Sequence, residues 1–220
     1  MPTPLAVVFD MDGLMFNTED VYILVGTELL RRRGQQFTEQ LKDAMMGLRP
    51  RAALQTMIDH CGLNERWERL AEESVEVFIG LLDEHLGMMP GLGELLDALE
   101  AARIPKAIAT SSDRRLAEAC LEAFGLKPRF EFLLTAEDVE HGKPHPQVYL
   151  TAAKRLDLAP ERVLVLEDSE NGCKAASAAG VFTVAVPGEH SREHDFSMAD
   201  LVAEGLGDPR LYELLGLVRG

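Results

Sequence analysis

The fold of this chain is decided by the stretch LAVVFDMDG at residues 5–13. Its first five residues are all apolar, which is typical of a strand buried on both faces of a parallel sheet. Two carboxylates and a glycine follow where that strand should end. Ligands of open α/β sheets bind beyond the carboxyl ends of the strands, so Asp10 and Asp12 are candidate functional residues. Taken alone, the same residues could simply form an Asx turn.

Short apolar runs return along the chain and alternate with segments of helical periodicity. Further strands are predicted at 104–110, 162–167 and 181–186, with a weaker one at 130–135. Helices are predicted at 92–102, 113–124, 145–156 and 170–179. Strands that alternate with helices predict an α/β fold with a Rossmann-like, doubly wound parallel sheet.

Residues 17–88 interrupt this alternation, because they show helical periodicity throughout and no strand pattern. Helices are predicted there at 18–33, 38–45, 50–61 and 64–86. We therefore predict an α/β catalytic core from 1–16 and 89–220, and an inserted all-α helical-bundle cap domain at 17–88. A helical insertion on two connections is suited to hinge over the end of the first strand.

Composition and charge restrict the possible partners. The chain is 46% apolar and 27% charged, which is ordinary globular composition. Its net charge of −15 argues against nucleic acid or an anionic membrane as a partner. No apolar segment reaches the roughly 20 residues of a spanning helix, and the N-terminus does not resemble a signal peptide. Three scattered cysteines fit inert thiols better than disulfides or a metal cluster. We expect a cytoplasmic protein that is a monomer or weak oligomer.

Polar side chains also follow the other predicted strands. Thr110-Ser111-Ser112 follows the second strand and Glu167-Asp168-Ser169 follows a later one, while Lys143 precedes a helix between them. In a parallel sheet these segments should meet at one edge. Carboxylates there suit a hard cation, whereas hydroxyl, amide and ammonium groups suit a phosphate.

These residues, in this order, resemble the haloacid-dehalogenase superfamily, in particular the branch that contains β-phosphoglucomutase and small sugar-phosphate phosphatases. The motifs that carry the resemblance are Asp10-Met11-Asp12-Gly13, Thr110-Ser111, Gly142-Lys143-Pro144-His145-Pro146, Glu167-Asp168-Ser169, Gly172 and Ala178-Ala179-Gly180. Each motif alone is weak, but together they are specific and span nearly the whole chain.

The resemblance implies a role for each motif. Asp10 would be the nucleophile that forms an aspartyl-phosphate, and Asp12 the general acid/base. Thr110, the Ser111 amide and Lys143 would hold the transferring phosphoryl group.

The resemblance also implies a Mg²⁺ cofactor. Its ligands would be Asp10, the Asp12 carbonyl and Asp168, with Glu167 bound directly or through water. Family members that displace halide usually lack the second aspartate, so Asp12 favours phosphoryl transfer over dehalogenation. The expected partner is a small phosphorylated metabolite.

The predicted cap should decide the substrate, and its clearest candidates are Gly47, Arg49 and Arg51 in a turn between two helices. Two arginines there could bind an anionic or sugar-like group, although a solvated helix-capping turn is the alternative. Two departures from the mutase pattern weaken a mutase interpretation: Tyr22 stands where the mutase has a histidine, and Pro50 where it has an arginine.

Three functions therefore remain in order of preference. The first is a phosphatase that hydrolyses a small phosphate monoester, and the second is a β-phosphoglucomutase-like hexose-phosphate mutase. The third is a phospho-accepting regulatory module, since receiver domains also place an aspartate cluster, a Ser/Thr and a lysine at strand ends. The long helical insertion argues against that module.

Overall fold

The structure is a computed structural model that describes residues 4–45, 48 and 50–217, without the side chain of Pro50. It divides into two compact units. The first unit comprises residues 4–17 and 87–217 of the described chain, and the second comprises Thr18–Leu86. No helix in the described ranges is long and apolar enough to cross a membrane.

The first unit is built on a parallel sheet of six strands within the described residues, in the order β3-β2-β1-β4-β5-β6. The strands are β1 (Ala6–Phe9), β2 (Lys106–Ala109), β3 (Leu133–Leu134), β4 (Val163–Glu167), β5 (Phe182–Ala185) and β6 (Leu201–Val202). Chain order reverses direction between β1 and β4, and ligands of open α/β sheets bind at such a switch point. The α/β parallel-sheet prediction is confirmed.

Helices connect the strands of the first unit. Numbered along the whole chain, they are α5 (Leu92–Ala101), α6 (Arg114–Ala123), α7 (Gln147–Arg155), α8 (Glu170–Ala179) and α9 (Pro209–Leu214). The carboxylate of Asp113 and the hydroxyl of Ser169 cap the first turns of α6 and α8. Each cap satisfies a backbone N–H that the helix leaves unpaired, and so fixes where the helix begins.

Apolar side chains from the central strands and two of these helices form one buried cluster. Val8 of β1 and Val165 of β4 lie in it, together with Val148 and Tyr149 of α7 and Ala175 of α8. All of them are buried, because a strand covered by helices exposes neither face to water. This packing fixes the strand ends from which the polar residues project.

The regular structure of the second unit is all α-helical in its described residues. Its helices are α1 (Thr18–Arg31), α2 (Glu39–Met45), α3 (Pro50–Cys61) and α4 (Trp67–His85). Arg33, just beyond α1, bonds the carboxylates of Glu65 at 2.8 Å and Glu73 at 2.6 Å. Its side chain is only 11% exposed.

The chain leaves and re-enters the first unit at two paired residues. The Asn17 amide oxygen accepts a 2.7 Å hydrogen bond from the Gly87 backbone N–H. The Asn17 N–H in turn donates to the Gly87 carbonyl at 3.2 Å. The boundaries between the two units lie at 17/18 and 86/87. The boundaries predicted from the sequence were 16/17 and 88/89.

Two elements differ from the sequence-based assignment in kind and not only in length. Nothing regular was predicted after residue 186, yet the structure has β6 and α9 there. Both are short: β6 exists only through pairing with β5, and α9 begins at the Asp208 cap followed by a proline. Also, α4 begins at Trp67 and not at 64, since Arg66 adopts an extended conformation and Glu65 is held by Arg33.

Candidate active site

Asp10 lies directly beyond β1, where the sheet positions it. Its backbone N–H donates to the Leu166 carbonyl of β4 at 2.9 Å, so the first residue after the strand still follows the ladder. The side chain is 8% exposed. Thr110 is held in the same way beyond β2, where its N–H donates to the Leu134 carbonyl at 3.0 Å. Neighbouring strands thus present both side chains at one edge.

Lys143 joins two of the strand ends. Its ammonium contacts Asp10 Oδ1 and Glu167 Oε1, the latter at 2.5 Å, and donates to the Ala109 carbonyl at 3.1 Å. The lysine side chain is 7% exposed. Burial alone would lower the pKa of Lys143, but the charges of Asp10 and Glu167 raise it above its ordinary value. The residue is therefore a fixed cation at neutral pH.

The Glu167 carboxylate is fully buried and accepts hydrogen bonds on both oxygens. The Tyr149 hydroxyl donates to Oε1 at 2.5 Å, and the Ser169 hydroxyl and N–H donate to Oε2 at 3.0 and 3.2 Å. A side chain at Gly172 would collide with this carboxylate, because the ideal Cβ position overlaps it. The first turn of α8 therefore packs against Glu167 only because residue 172 is glycine.

Asp168 completes a buried group of three carboxylates. Ligand atoms of Asp10, Glu167 and Asp168 all lie within 4.8 Å of one another. Gly13 packs against the Asp168 carboxylate with a backbone φ of 73°, so a Cβ there would be both strained and in collision. The glycine after the two aspartates thus has a steric reason.

Burial and repulsion act on Asp10 more strongly than its lysine partner does. Burial raises the pKa of the Asp10 carboxyl well above its ordinary value, and the charges of Glu167 and Asp12 raise it further. The Lys143 charge lowers this pKa but does not reverse the shift. Lys143 therefore does not fully offset the burial and the negative charge at this site, and a further cation would lower the pKa of Asp10.

Asp12 forms a second polar group beside the first. Its Oδ2 accepts two hydrogen bonds at 2.8 Å, one from the Thr110 hydroxyl and one from the Ser112 hydroxyl. Its Oδ1 is buried and makes no hydrogen bond with any residue in the described part of the chain. The Ser112 N–H donates to Thr110 Oγ1 at 3.0 Å, which links the two hydroxyl residues.

A family model for haloacid dehalogenase-like hydrolases matches residues 7–186, which include every strand-end motif described above. The chain belongs to the haloacid dehalogenase-like hydrolases.

Similar proteins of this family span most of the chain. A phosphorylated carbohydrates phosphatase of Thermotoga maritima is 35% identical over 80% of this chain and 82% of its own length. Hexitol phosphatase B of Escherichia coli is 30% identical over 98% of this chain and all of its own length. The solved structure of CbbY from Rhodobacter sphaeroides in complex with phosphate has a TM-score of 0.80 and 25% identity, covering 92% of this chain and 95% of that one.

The structure of this haloacid dehalogenase-like hydrolase brings six of the predicted site residues together: Asp10, Asp12, Thr110, Lys143, Glu167 and Asp168. Their individual roles stay predictions. Ser111 is exposed, next to Thr110 in sequence. In the helical unit, the exposed Arg51 stacks its guanidinium 5.3 Å from the centre of the Trp67 ring. The other two cap candidates, Gly47 and Arg49, lie outside the described residues.

Two residues of this hydrolase's site, Ser112 and Tyr149, received no individual role from the sequence. Adjacent serines at 111 and 112 give no sequence signal for which hydroxyl turns toward the aspartates. Tyr149 was assigned only to a helix, yet its ring lies 5.1 Å from the Lys143 ammonium and its hydroxyl is bonded to Glu167. A tyrosine on a buried helix face needs a hydrogen-bond partner, and that requirement could have found it.

Proposed function

We propose that this chain is a Mg²⁺-dependent phosphatase that hydrolyses a small phosphate monoester, such as a sugar phosphate, through an aspartyl-phosphate on Asp10. The observation that carries the proposal is the convergence of an aspartate pair, a buried lysine and a carboxylate cluster at one sheet edge. Relatives named phosphorylated carbohydrates phosphatase and hexitol phosphatase B support the same reaction class.

The acidic cluster fits a hard divalent cation. Carboxylate oxygens are the donors that Mg²⁺ prefers, and three of them lie within 4.8 Å of one another. The pKa of Asp10 stays raised even with Lys143 beside it, because burial opposes its charge, so further positive charge would stabilise the carboxylate. Asp10, Asp168, Glu167 and the Asp12 carbonyl would hold the ion. A bound Mg²⁺ supplies charge that offsets the repulsion between Asp10 and a phosphate dianion.

In the first step, a carboxylate oxygen of Asp10 attacks phosphorus and the bond from phosphorus to the leaving alcohol oxygen breaks. Asp12 gives its proton to that oxygen, so the alcohol leaves neutral. Lys143 and the hydroxyl of Thr110 hold phosphoryl oxygens, and the Ser111 amide adds a further donor.

In the second step, water attacks the phosphorus of the aspartyl-phosphate. Asp12, now a carboxylate, takes the proton of the water as the new bond forms. The bond from Asp10 to phosphorus breaks and inorganic phosphate leaves. Asp10 is thereby regenerated as a carboxylate and Asp12 as an acid, so the cycle is closed.

We propose that residues 17–88 act as a cap that selects the substrate, with Gly47, Arg49 and Arg51 as its contacts.

The proposed location is the cytoplasm, which the free thiols of Cys61, Cys120 and Cys173 favour because they fit a reducing compartment. Nucleic acid and membrane are not proposed as partners, in view of the net charge of −15. The proposed assembly state is a monomer or weak oligomer.

The decisive experiment is a screen of the purified protein with Mg²⁺ against phosphorylated sugars, nucleotides and small acids. Both inorganic phosphate and rearranged sugar phosphates are measured. Release of phosphate supports the phosphatase. A rearranged hexose phosphate without phosphate release would instead establish the mutase alternative, and a stable phosphoprotein without turnover would establish the regulatory module.

A further inference from the structure

The two oxygens of the Asp12 carboxylate have different surroundings. Oδ2 accepts both available hydroxyl hydrogens, from Thr110 and Ser112, while Oδ1 is buried and lacks a hydrogen-bond partner among the described residues. A buried polar atom without a partner is costly, and a catalytic role is one reason for a fold to retain such an atom. The carboxylate is thus held by one oxygen and leaves the other for proton transfer.

The two hydroxyls cannot serve Asp12 equally during catalysis. A hydroxyl carries one hydrogen, so it can donate to only one acceptor at a time. Under the proposed mechanism Thr110 donates its hydrogen to a phosphoryl oxygen once substrate is bound. Ser112 then remains as the hydroxyl donor to Asp12 Oδ2.

The backbone holds Ser112 firmly in the position that this role needs. Its carbonyl accepts a 3.0 Å hydrogen bond from the Ala136 N–H, and its own N–H donates to Thr110 Oγ1 at 3.0 Å. The next residue, Asp113, caps α6 by accepting a 2.9 Å hydrogen bond from the Leu116 N–H. Three separate contacts therefore fix the turn from which the Ser112 hydroxyl points at Asp12.

We propose that Ser112 is a positioning residue that holds the Asp12 carboxyl through Oδ2, so that Oδ1 passes the proton to the leaving alcohol and later takes one from water. The inference rests on the proposed acid/base role of Asp12. It differs from the role that the family resemblance implies for this segment, which concerns Thr110 and the Ser111 amide.

The test compares two esters that differ in their need for an acid. A nitrophenyl phosphate has a leaving group that needs little protonation, whereas an alkyl phosphate, the best one from the substrate screen, depends on it. Values of kcat/KM are measured for both esters with the wild type, Ser112→Ala, Ser112→Thr and Asp12→Ala. Ser177→Ala, which changes an exposed serine of α8, is the matched control.

Ser112→Ala should lower kcat/KM for the alkyl phosphate by roughly 10- to 100-fold, the usual effect of one hydrogen bond to a charged group. The nitrophenyl ester should lose several-fold less. Ser112→Thr keeps the hydroxyl and should restore the alkyl phosphate rate. Asp12→Ala should show the same selectivity more strongly, by about 100- to 10,000-fold. The ratio of the two losses does not depend on the folded fraction, so a partly unfolded variant still gives a result.

Three results would overturn the inference. The first is an equal loss for both esters in Ser112→Ala, which would make Ser112 a structural residue. The second is an unchanged rate for both esters, which would show that Asp12 needs no such support. The third is ester-selective loss in Ser112→Ala but not in Asp12→Ala, which would move the acid role elsewhere. A wild type that with Mg²⁺ hydrolyses neither the nitrophenyl phosphate nor any phosphate ester of the screen would overturn the proposed function itself.

Discussion

Two carboxylate clusters in the described part of the chain each surround a largely buried cation. The pKa shifts of Glu65 and Glu73 in one cluster and of Asp10 in the other have opposite directions. In the helical unit, hydrogen bonds from Arg33 lower the pKa values of Glu65 and Glu73. At the sheet edge, burial keeps the pKa of Asp10 raised although Lys143 contacts it. The cation side chains are similarly covered, at 11% and 7% exposed. The carboxylates are covered unequally, since Glu65 and Glu73 are 20% and 22% exposed whereas Asp10 is 8% exposed and Glu167 is fully buried. Burial of the carboxylates, and not burial of the cation, therefore separates the two clusters.

The difference indicates what each cluster is for. Arg33 meets its carboxylates with a planar, multiply bonded guanidinium, which neutralises them within the fold. Lys143 is a point charge with two carboxylates in contact, and a third lies within reach of a shared ion. A cluster whose negative charge is only partly neutralised destabilises the fold, and such clusters are typical of ligand-binding and catalytic sites.

The largest difference between the two clusters should appear when a carboxylate in each is replaced by its neutral amide. Asp10→Asn should lower turnover by on the order of 10⁴-fold or more and abolish the phosphoenzyme, since the nucleophile is lost. The same variant should raise the melting temperature of the metal-free protein, because it relieves an unfavourable buried charge. Glu73→Gln should instead lower the melting temperature. Thermal unfolding in a chelator, with phosphate-release assays, checks both, and a destabilised Asp10→Asn would break the comparison.

Binding of Mg²⁺ should distinguish the clusters next. A ligand at 100 times its Kd stabilises a protein by about 2.7 kcal/mol, so Mg²⁺ should raise the melting temperature of the wild type. Asp168→Asn should lose most of this shift, and Glu73→Gln should retain it. Chelation should also abolish hydrolysis. An undiminished shift in Asp168→Asn would place the ion elsewhere.

Adjacent arginines offer a smaller and more local test. Arg33→Gln leaves two partly buried glutamates without their main partner and should reduce the free energy of unfolding by roughly 1–3 kcal/mol. Arg32→Gln is the matched control, since Arg32 also bonds Glu73 but is 45% exposed, and its effect should be smaller. Trp67, the only tryptophan, lies at the start of α4 and reports unfolding of the helical unit by fluorescence. Equal effects of the two changes would show that burial does not matter here.

The smallest expected effect is the pH dependence of the difference in unfolding free energy between the wild type and Arg33→Gln. Lowered pKa values in the folded state mean that the glutamates contribute stability above their ordinary pKa of 4.5, and that it is lost as pH falls through the folded values. The gap between wild type and Arg33→Gln should therefore be constant near pH 7 and shrink below about pH 4.5. Urea unfolding followed at Trp67 across this range measures the gap. A gap that widens in acid would contradict the ion-pair assignment.

The sheet was predictable from sequence because its central strands are apolar runs that need no tertiary information to recognise. Two features of the structure could not be predicted in this way, because they depend on contacts between distant residues. The strand Leu201–Val202 has two residues and exists only through its pairing with β5, so no periodicity in the sequence predicts it. Similarly, the start of α4 depends on Glu65 being held by Arg33, a contact between residues 32 positions apart.

The candidate site divides in the same way. Asp10, Thr110 and Glu167 could be expected to meet because parallel strands carry their ends to one edge. The partner of Asp12 could not be chosen from sequence, since Ser111 and Ser112 are chemically identical and only the turn before α6 turns one of them inward. Tyr149 reaches Glu167 from a helix, so strand-end reasoning does not include it.

The paired residues at the two ends of the insertion have a consequence for how this chain can change. Asn17 and Gly87 are joined by two hydrogen bonds, so the 69 residues of Thr18–Leu86 leave and return at one point. Closing a loop costs only about 0.6 kcal/mol more for each doubling of its length. A shorter, longer or differently folded insertion could therefore be grafted between these two residues without shifting the strands that carry the aspartates. Under the proposed role of the insertion as a substrate-selecting cap, replacement of that segment would be a route to new substrate ranges on an unchanged sheet.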